Sequence, residues 1–201
     1  MKVTILDYGA GNVPSVERAF QRLGAESLRT DSAAAISQAA ALLLPGVGHY
    51  SALVRALDEK QLRAPLIDAI HRGVPFLGIC LGLQVLFKSS EEAGQLQGLN
   101  FLPGIVSALP SNVKLPHMGW NQLKRKCDSF LLSGIPDEVY FYFAHSFAAI
   151  EANGTAVATC SYGAEFAAVI EQRNICAVQF HPEKSGDAGA RVLENFLRMA
   201  A

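Results

Sequence analysis

Neither sign of charge is in excess along this 201-residue chain: 17 Lys and Arg stand against 18 Asp and Glu, for a formal net charge of −1. With no basic run, the electrostatic footprint that nucleic-acid binding requires is missing. Cysteine is scarce too. Cys80, Cys127, Cys160 and Cys176 form no C-x-x-C pair and no disulfide-framework spacing, which suits a reducing cytoplasm. There is no H-E-x-x-H and no Cys/His cluster, so neither a metal nor a cofactor is expected. Linker-like tracts, internal repeats and low-complexity segments are absent, and one domain over residues 1–201 is expected. Only 17% of residues are charged against 50% hydrophobic, which excludes a disordered chain. The opening stretch, Met1 to Asp7, meets an acidic residue after a short apolar run and reads as a strand, not a signal peptide or membrane span.

What is present centres on Gly78-Ile79-Cys80-Leu81-Gly82. The apolar run Val74 to Leu77 before it is strand-like, and Leu81 to Phe87 after it carries apolar residues at helical spacing. A cysteine is thereby set on a sharp strand-to-helix turn, with glycines two residues either side, as in the G-x-S-x-G nucleophile elbow. A helix N-terminus there favours thiolate, the reactive form. By itself the motif equally fits a buried core cysteine.

Strands and helices alternate up to this elbow. Strand Val3–Leu6 leads to a helix over Pro14–Leu23, then a strand near Ala25–Leu28, a helix over Ser32–Ala40 and a strand Ala41–Leu44. Helices over Ser51–Leu57 and Leu66–Arg72 follow. The pattern predicts an α/β fold with a mostly parallel central sheet flanked by helices, and ligands at the carboxyl ends of strands. Gly9-x-Gly11 lacks the third glycine of a dinucleotide fingerprint and reads as a tight turn. Pro45-Gly46-Val47-Gly48, at the end of the third strand, can turn backbone N–H groups towards a ligand as an oxyanion hole requires, or be an ordinary loop.

The C-terminal half changes character. Ser89–Gly98 is polar loop, and short strands are predicted at Ile105–Ala108, Gln122–Lys124, Val139–Phe143, Ala156–Thr159, Ala167–Gln172 and Ile175–Gln179, antiparallel at least in part. A helix over Ala188–Met199 closes the chain. After the last strand comes Gln179-Phe180-His181-Pro182-Glu183. In an extended segment residues 181 and 183 share a face, which suits an imidazole and the carboxylate that orients it. Cysteine elbow, glycine loop and His-x-Glu, all at strand ends, together imply acyl transfer through a thioester. Cys80 is then the nucleophile, His181 the base and later acid, and Glu183 the group that fixes its tautomer.

These three segments resemble the signature regions of class I (triad) glutamine amidotransferases. More narrowly, Asp7 to Asn12, His117-Met118-Gly119-Trp120-Asn121 and Tyr142 to Phe147 resemble the glutaminase subunits of imidazole glycerol phosphate synthase, and the likeness covers nearly the whole chain. The resemblance implies glutamine as substrate. It implies an oxyanion hole formed by Leu81 with Gly46, Val47 and Gly48, and glutamine held by Gly48, Gln84, Ser146 and Phe147. It also implies a heterodimer with a HisF-type (βα)8 cyclase that receives ammonia, with Asn12, Trp120, Asn121 and Lys184 facing that partner. The chain ends one helix beyond Glu183, in keeping with a glutaminase separate from its synthase. His49-Tyr50, Phe147 and Ala177 depart from the family pattern around the oxyanion loop and the glutamine contacts. The glutaminase of an anthranilate or aminodeoxychorismate synthase, a catalytically silent binding module, and a flavodoxin-like redox or phosphate-binding module are the competing readings.

Overall fold

In the computed structural model, which describes residues 2–150 and 155–200, the first strand sets the pattern. Val3 and Ile5 of β1 (Lys2–Leu6) face one side of the sheet and Leu6 the other, and the two sides grow into two cores. After β1 come α1 (Val13–Arg22), β2 (Glu26–Thr30), α2 (Ala33–Ser37), β3 (Leu42–Gly46), α3 (Tyr50–Glu59), α4 (Arg63–His71), β4 (Phe76–Cys80) and α5 (Leu81–Gln84). Leu43, Leu77 and Ile79 extend the first core, while Leu42, Leu44 and Phe76 extend the second, as the period-two alternation of a strand buried on both faces requires.

The rest of the chain supplies β5 (Ser107–Ala108), β6 (His117–Gln122), β7 (Lys124–Arg125), β8 (Tyr140–His145), β9 (Phe147–Ala148), β10 (Ala156–Tyr162), β11 (Ala164–Gln172), β12 (Ile175–Val178), a 3₁₀ turn at Pro182–Lys184 and α6 (Gly186–Met199). The main sheet runs β2-β1-β3-β4-β12-β11-β10-β7. Pairing is parallel from β2 to β12 and antiparallel from β12 to β7. The expected α/β architecture, parallel first and antiparallel in its C-terminal half, is therefore present. β6 and β8 pair as a separate antiparallel ribbon, and β5 pairs with β9. No helix among the described residues is long and apolar enough to cross a membrane.

Three local expectations are corrected. The helix after Cys80 stops at Gln84 instead of reaching Phe87, because the bonds Leu86 N–H to Leu83 and Phe87 N–H to Gln84 tighten the chain into the second core, where Leu83, Leu86 and Phe87 are fully buried. His181 and Glu183 do not share an extended face: Pro182–Lys184 winds into a 3₁₀ turn. The segment His117–Gln122 is a strand that the sequence pattern missed, since its inward positions carry His117, Gly119 and Asn121 where an apolar alternation would carry aliphatics.

Candidate active site

Two parallel pairings bring the site together at the carboxyl ends of the central strands. Gly46 at the end of β3 stands opposite Cys80 at the end of β4, and Val178 of β12 stands opposite Ile79 on the other flank. The chain must turn tightly under the cysteine: a Cβ on Gly78 would lie 2.4 Å from the Gly82 carbonyl oxygen, and one on Gly82 would lie 2.0 Å from that of Leu44. Both glycines are thus demanded by close backbone approach. Cys80 itself has φ 54 and ψ −104, a left-handed conformation that a side chain rarely adopts. Its side chain is left pointing off the sheet top, and the residue is nearly buried.

His181 begins the 3₁₀ turn and is fixed by its backbone: its N–H donates to the Tyr142 carbonyl at 2.8 Å, and its carbonyl accepts from Ser185 Oγ at 2.7 Å. Ser185 Oγ in turn accepts the Tyr142 N–H at 3.0 Å. The ribbon strand β8 therefore clamps the turn that carries His181 and Glu183. His181 Nδ1 and Glu183 Oε1 are 3.0 Å apart, with the side chains 2% and 1% exposed. Glu183 Oε1 also accepts from Asn12 Nδ2 at 3.4 Å.

Burial disfavours the imidazolium of His181, but Cys80 first and Glu183 second outweigh it, and the pKa is raised. The Nε2 atom forms no hydrogen bond of full geometry to the sulfur, although the sulfur is the strongest influence favouring its charge. Such a contact tightens when substrate binds. Glu183 Oε2 likewise has no hydrogen-bond partner. Burial pushes the thiols of Cys160 and Cys176 up to about 12, away from thiolate.

The sulfur opens on a cleft of about 140 Å³ lined by Val47, Gly48, Leu81, Gln84, Ser146, Phe147 and His181, among others. Every residue expected to hold glutamine is in this wall. Larger hollows exist, one of about 410 Å³ between α1 and α6. It touches Glu183 and Lys184 without reaching the thiol, so volume alone would misplace the site. The Gly46-Val47-Gly48 loop is held from behind, where the Tyr8 hydroxyl donates to the Val47 carbonyl at 3.4 Å. Burial raises the Tyr8 phenol pKa, keeping it a donor.

Sequence reasoning missed two side chains. Glu92 lines the cleft and accepts the Tyr50 N–H at 2.7 Å; it lies in a polar stretch that reads only as loop. Gln179, fully buried, sets Nε2 3.5 Å from Cys80 Sγ. Nothing local in the sequence marks it, since its partners are 95 and 99 residues away.

The four residues expected to face a partner fall into two groups. Trp120 is exposed on the β6–β8 ribbon with Met118 and Tyr140. Lys184 is exposed, with Nζ 5.5 Å from the Tyr142 ring centroid. Asn12 and Asn121 are half-buried and occupied within the molecule, Asn12 at Glu183 and Asn121 at the Ser161 carbonyl.

A family model described as glutamine amidotransferase class-I matches residues 4–200. An imidazole glycerol phosphate synthase subunit HisH from Methanothermobacter thermautotrophicus is 49% identical over 98% of both chains. The subunit of the same name from Moorella thermoacetica is 47% identical over 96% of this chain and 93% of its own. That from Salinibacter ruber is 44% identical over 96% and 92%. Among solved structures, a glutamine amidotransferase crystal structure superposes with a TM-score of 0.78 at 19% identity, covering 98% of each chain. PurLQS from Thermotoga maritima gives a TM-score of 0.75 at 19% identity, covering 100% of this chain and 99% of that one. At such identities these two establish the fold alone.

Proposed function

The chain belongs to the class I glutamine amidotransferases and, among them, to the HisH subunits of imidazole glycerol phosphate synthase, and from that premise we propose how its own residues do the work. The whole chain, 1–201, acts as one glutaminase unit, with Cys80 as nucleophile. The sulfur attacks the side-chain amide carbon of glutamine while the amide oxygen becomes an oxyanion. That charge is met by the Leu81 N–H and by a donor from the Gly46-Val47-Gly48 loop. His181, already carrying its proton, gives the Nε2 proton to the departing nitrogen, and ammonia leaves. Neutral His181 then takes a proton from water, which attacks the thioester and releases glutamate. Glu183 holds Nδ1 throughout, and Asn12 steadies Glu183.

Substrate recognition follows from the cleft's polar groups. Both protons of the Gln84 amide are committed, to the Phe147 carbonyl at 2.7 Å and to Gln179 Oε1 at 3.1 Å. Gln84 therefore offers glutamine only its oxygen. Glu92 is the acid in reach of an α-ammonium group, and Gly48, Ser146 and Phe147 complete the hold. Phe147 has no hydroxyl, so its contribution is its ring and backbone.

Ammonia passes to a HisF-type (βα)8 cyclase, which uses it to form imidazole glycerol phosphate and an aminoimidazole carboxamide ribotide in histidine biosynthesis. Trp120 and Lys184 meet this partner directly, while Asn12 and Asn121 lie behind that side, held within the molecule. An exposed tryptophan 55% accessible, with Met118 and Tyr140 beside it, is the apolar patch that a docking ribbon would carry.

The observation that carries the reading is the convergence of a strained cysteine with a buried, carboxylate-paired histidine. Glutamate release by the chain, alone and with a HisF-type cyclase plus its nucleotide ligand, tests it. Hydrolysis is expected to rise with that partner and to vanish in Cys80→Ala. Full hydrolysis in the variant, or activation only by a chorismate-using synthase, would count against it.

A further inference from the structure

Gln179 is a neighbour of the reactive sulfur that the sequence of steps above leaves idle. It follows β12, its backbone N–H donates to the Ala168 carbonyl at 2.9 Å, and its side chain reaches Cys80 Sγ through Nε2 at 3.5 Å. The direction of that contact is set by a chain of bonds starting at a group that can only accept. The Phe147 carbonyl takes one proton of the Gln84 amide at 2.7 Å and faces His145 Nδ1 at 2.9 Å. The other Gln84 proton goes to Gln179 Oε1 at 3.1 Å. With its oxygen so engaged, Gln179 has only N–H left to present to sulfur. Turning either amide over would set two oxygens or two N–H groups against each other.

We propose that Gln179 is a further catalytic residue, whose Nε2–H is a second donor to the Cys80 sulfur beside His181. An anion buried away from water needs donors of this kind. The helix that follows Cys80 is a single turn and supplies little of the dipole that a longer one would. The donor acts twice, on the sulfur before it attacks the amide and again as the sulfur leaves the thioester. Because the bonds run Phe147, Gln84, Gln179, Cys80, the wall of the glutamine cleft and the nucleophile are held by one set of hydrogen bonds.

The inference rests on Cys80 being the nucleophile, and Cys80→Ala assayed in parallel keeps the two apart: hydrolysis surviving in that variant overturns both. The test is Gln179→Met, which keeps the volume and removes both the donor to sulfur and the oxygen that accepts from Gln84, assembled with the cyclase subunit and its nucleotide. A donor to sulfur predicts kcat lower by roughly 10–100-fold, a larger factor than the rise in KM for glutamine that loss of the Gln84 bond brings. Alkylation of Cys80 by a diazo-ketone analogue of glutamine should slow by the same factor. Should Gln179→Met fail to fold, Gln179→Glu still accepts from Gln84 and loses the donor when ionised. Its activity relative to wild type is then expected to fall as pH rises, because a protonated carboxyl can still donate. Unchanged kinetics in a folded variant, a loss confined to KM, or a Gln179→Glu ratio that is flat with pH would overturn the proposal.

Discussion

His181 and the His117–His145 pair are all buried on the same side of the molecule, and their titrations are pushed in opposite directions. Burial lowers His117 to about 4 and His145 to about 3. The same burial acts on His181, where Cys80 and Glu183 override it. In the pair, the neighbours are aromatic rings and a carbonyl: His117 stacks between Tyr162 and Phe143 at centroid distances of 4.0 and 4.9 Å. His117 Nδ1 meets His145 Nε2 at 3.1 Å, and His145 Nδ1 meets the Phe147 carbonyl at 2.9 Å. A neutral chain with Nδ1 protonated on both rings satisfies every one of these contacts. Depth therefore does not decide whether a histidine is charged. The groups that face it do.

The two sites also have opposite linkage to pH. His181 has a raised folded pKa, so its contribution to stability is fully present below its unfolded value and fades as pH rises through the folded one. The pair has lowered values, so its contribution is present above about 6.5 and is lost as pH falls towards 4 and 3.

Removing the carboxylate weakens the contrast and has the largest effect on turnover. In Glu183→Gln the amide no longer supports the imidazolium, Cys80 alone is left to oppose burial, and kcat/KM is expected to fall roughly 10²–10⁴-fold. Nitrogen-15 chemical shifts of the His181 ring followed against pH, with the imidazolium lost at lower pH in the variant than in the wild type, check the cause. A smaller effect sharpens the other side. His145→Gln can still donate to Phe147 and accept from His117 but cannot titrate. Urea unfolding should show that wild type loses about 2 kcal/mol more than this variant between pH 7 and pH 5. Parallel stability curves for the two proteins would mean that His145 is not held neutral in the fold.

The two regions were unequally legible in the sequence. The elbow could be read because its determinants are neighbours: glycines at 78 and 82, an apolar strand before, and the backbone crowding that forbids a Cβ. The parallel half of the sheet was legible for the same reason, its strands being short apolar runs between helices. Of the ribbon, β8 was legible as the strand expected at Val139–Phe143 but β6 was not, because its inward side is His117, Gly119 and Asn121, which carry no hydrophobic period. His145 and Gln179 join the site through partners tens of residues distant, a relation that composition and spacing do not encode. The His181–Glu183 pairing was legible while its geometry was not: β12 ends at Val178, and Pro182 opens a 3₁₀ turn in place of an extended segment.

The most direct test of the site is to catch the covalent intermediate. The chain assembled with its cyclase partner and nucleotide is mixed with glutamine, quenched in acid during turnover, and its peptides are mapped by mass. The account predicts a γ-glutamyl thioester on the peptide carrying Cys80, absent in Cys80→Ala and never on Cys127, the exposed thiol. Hydrolysis that proceeds with no adduct on Cys80 in either rapid or delayed quenches, or an adduct at another residue, would contradict it.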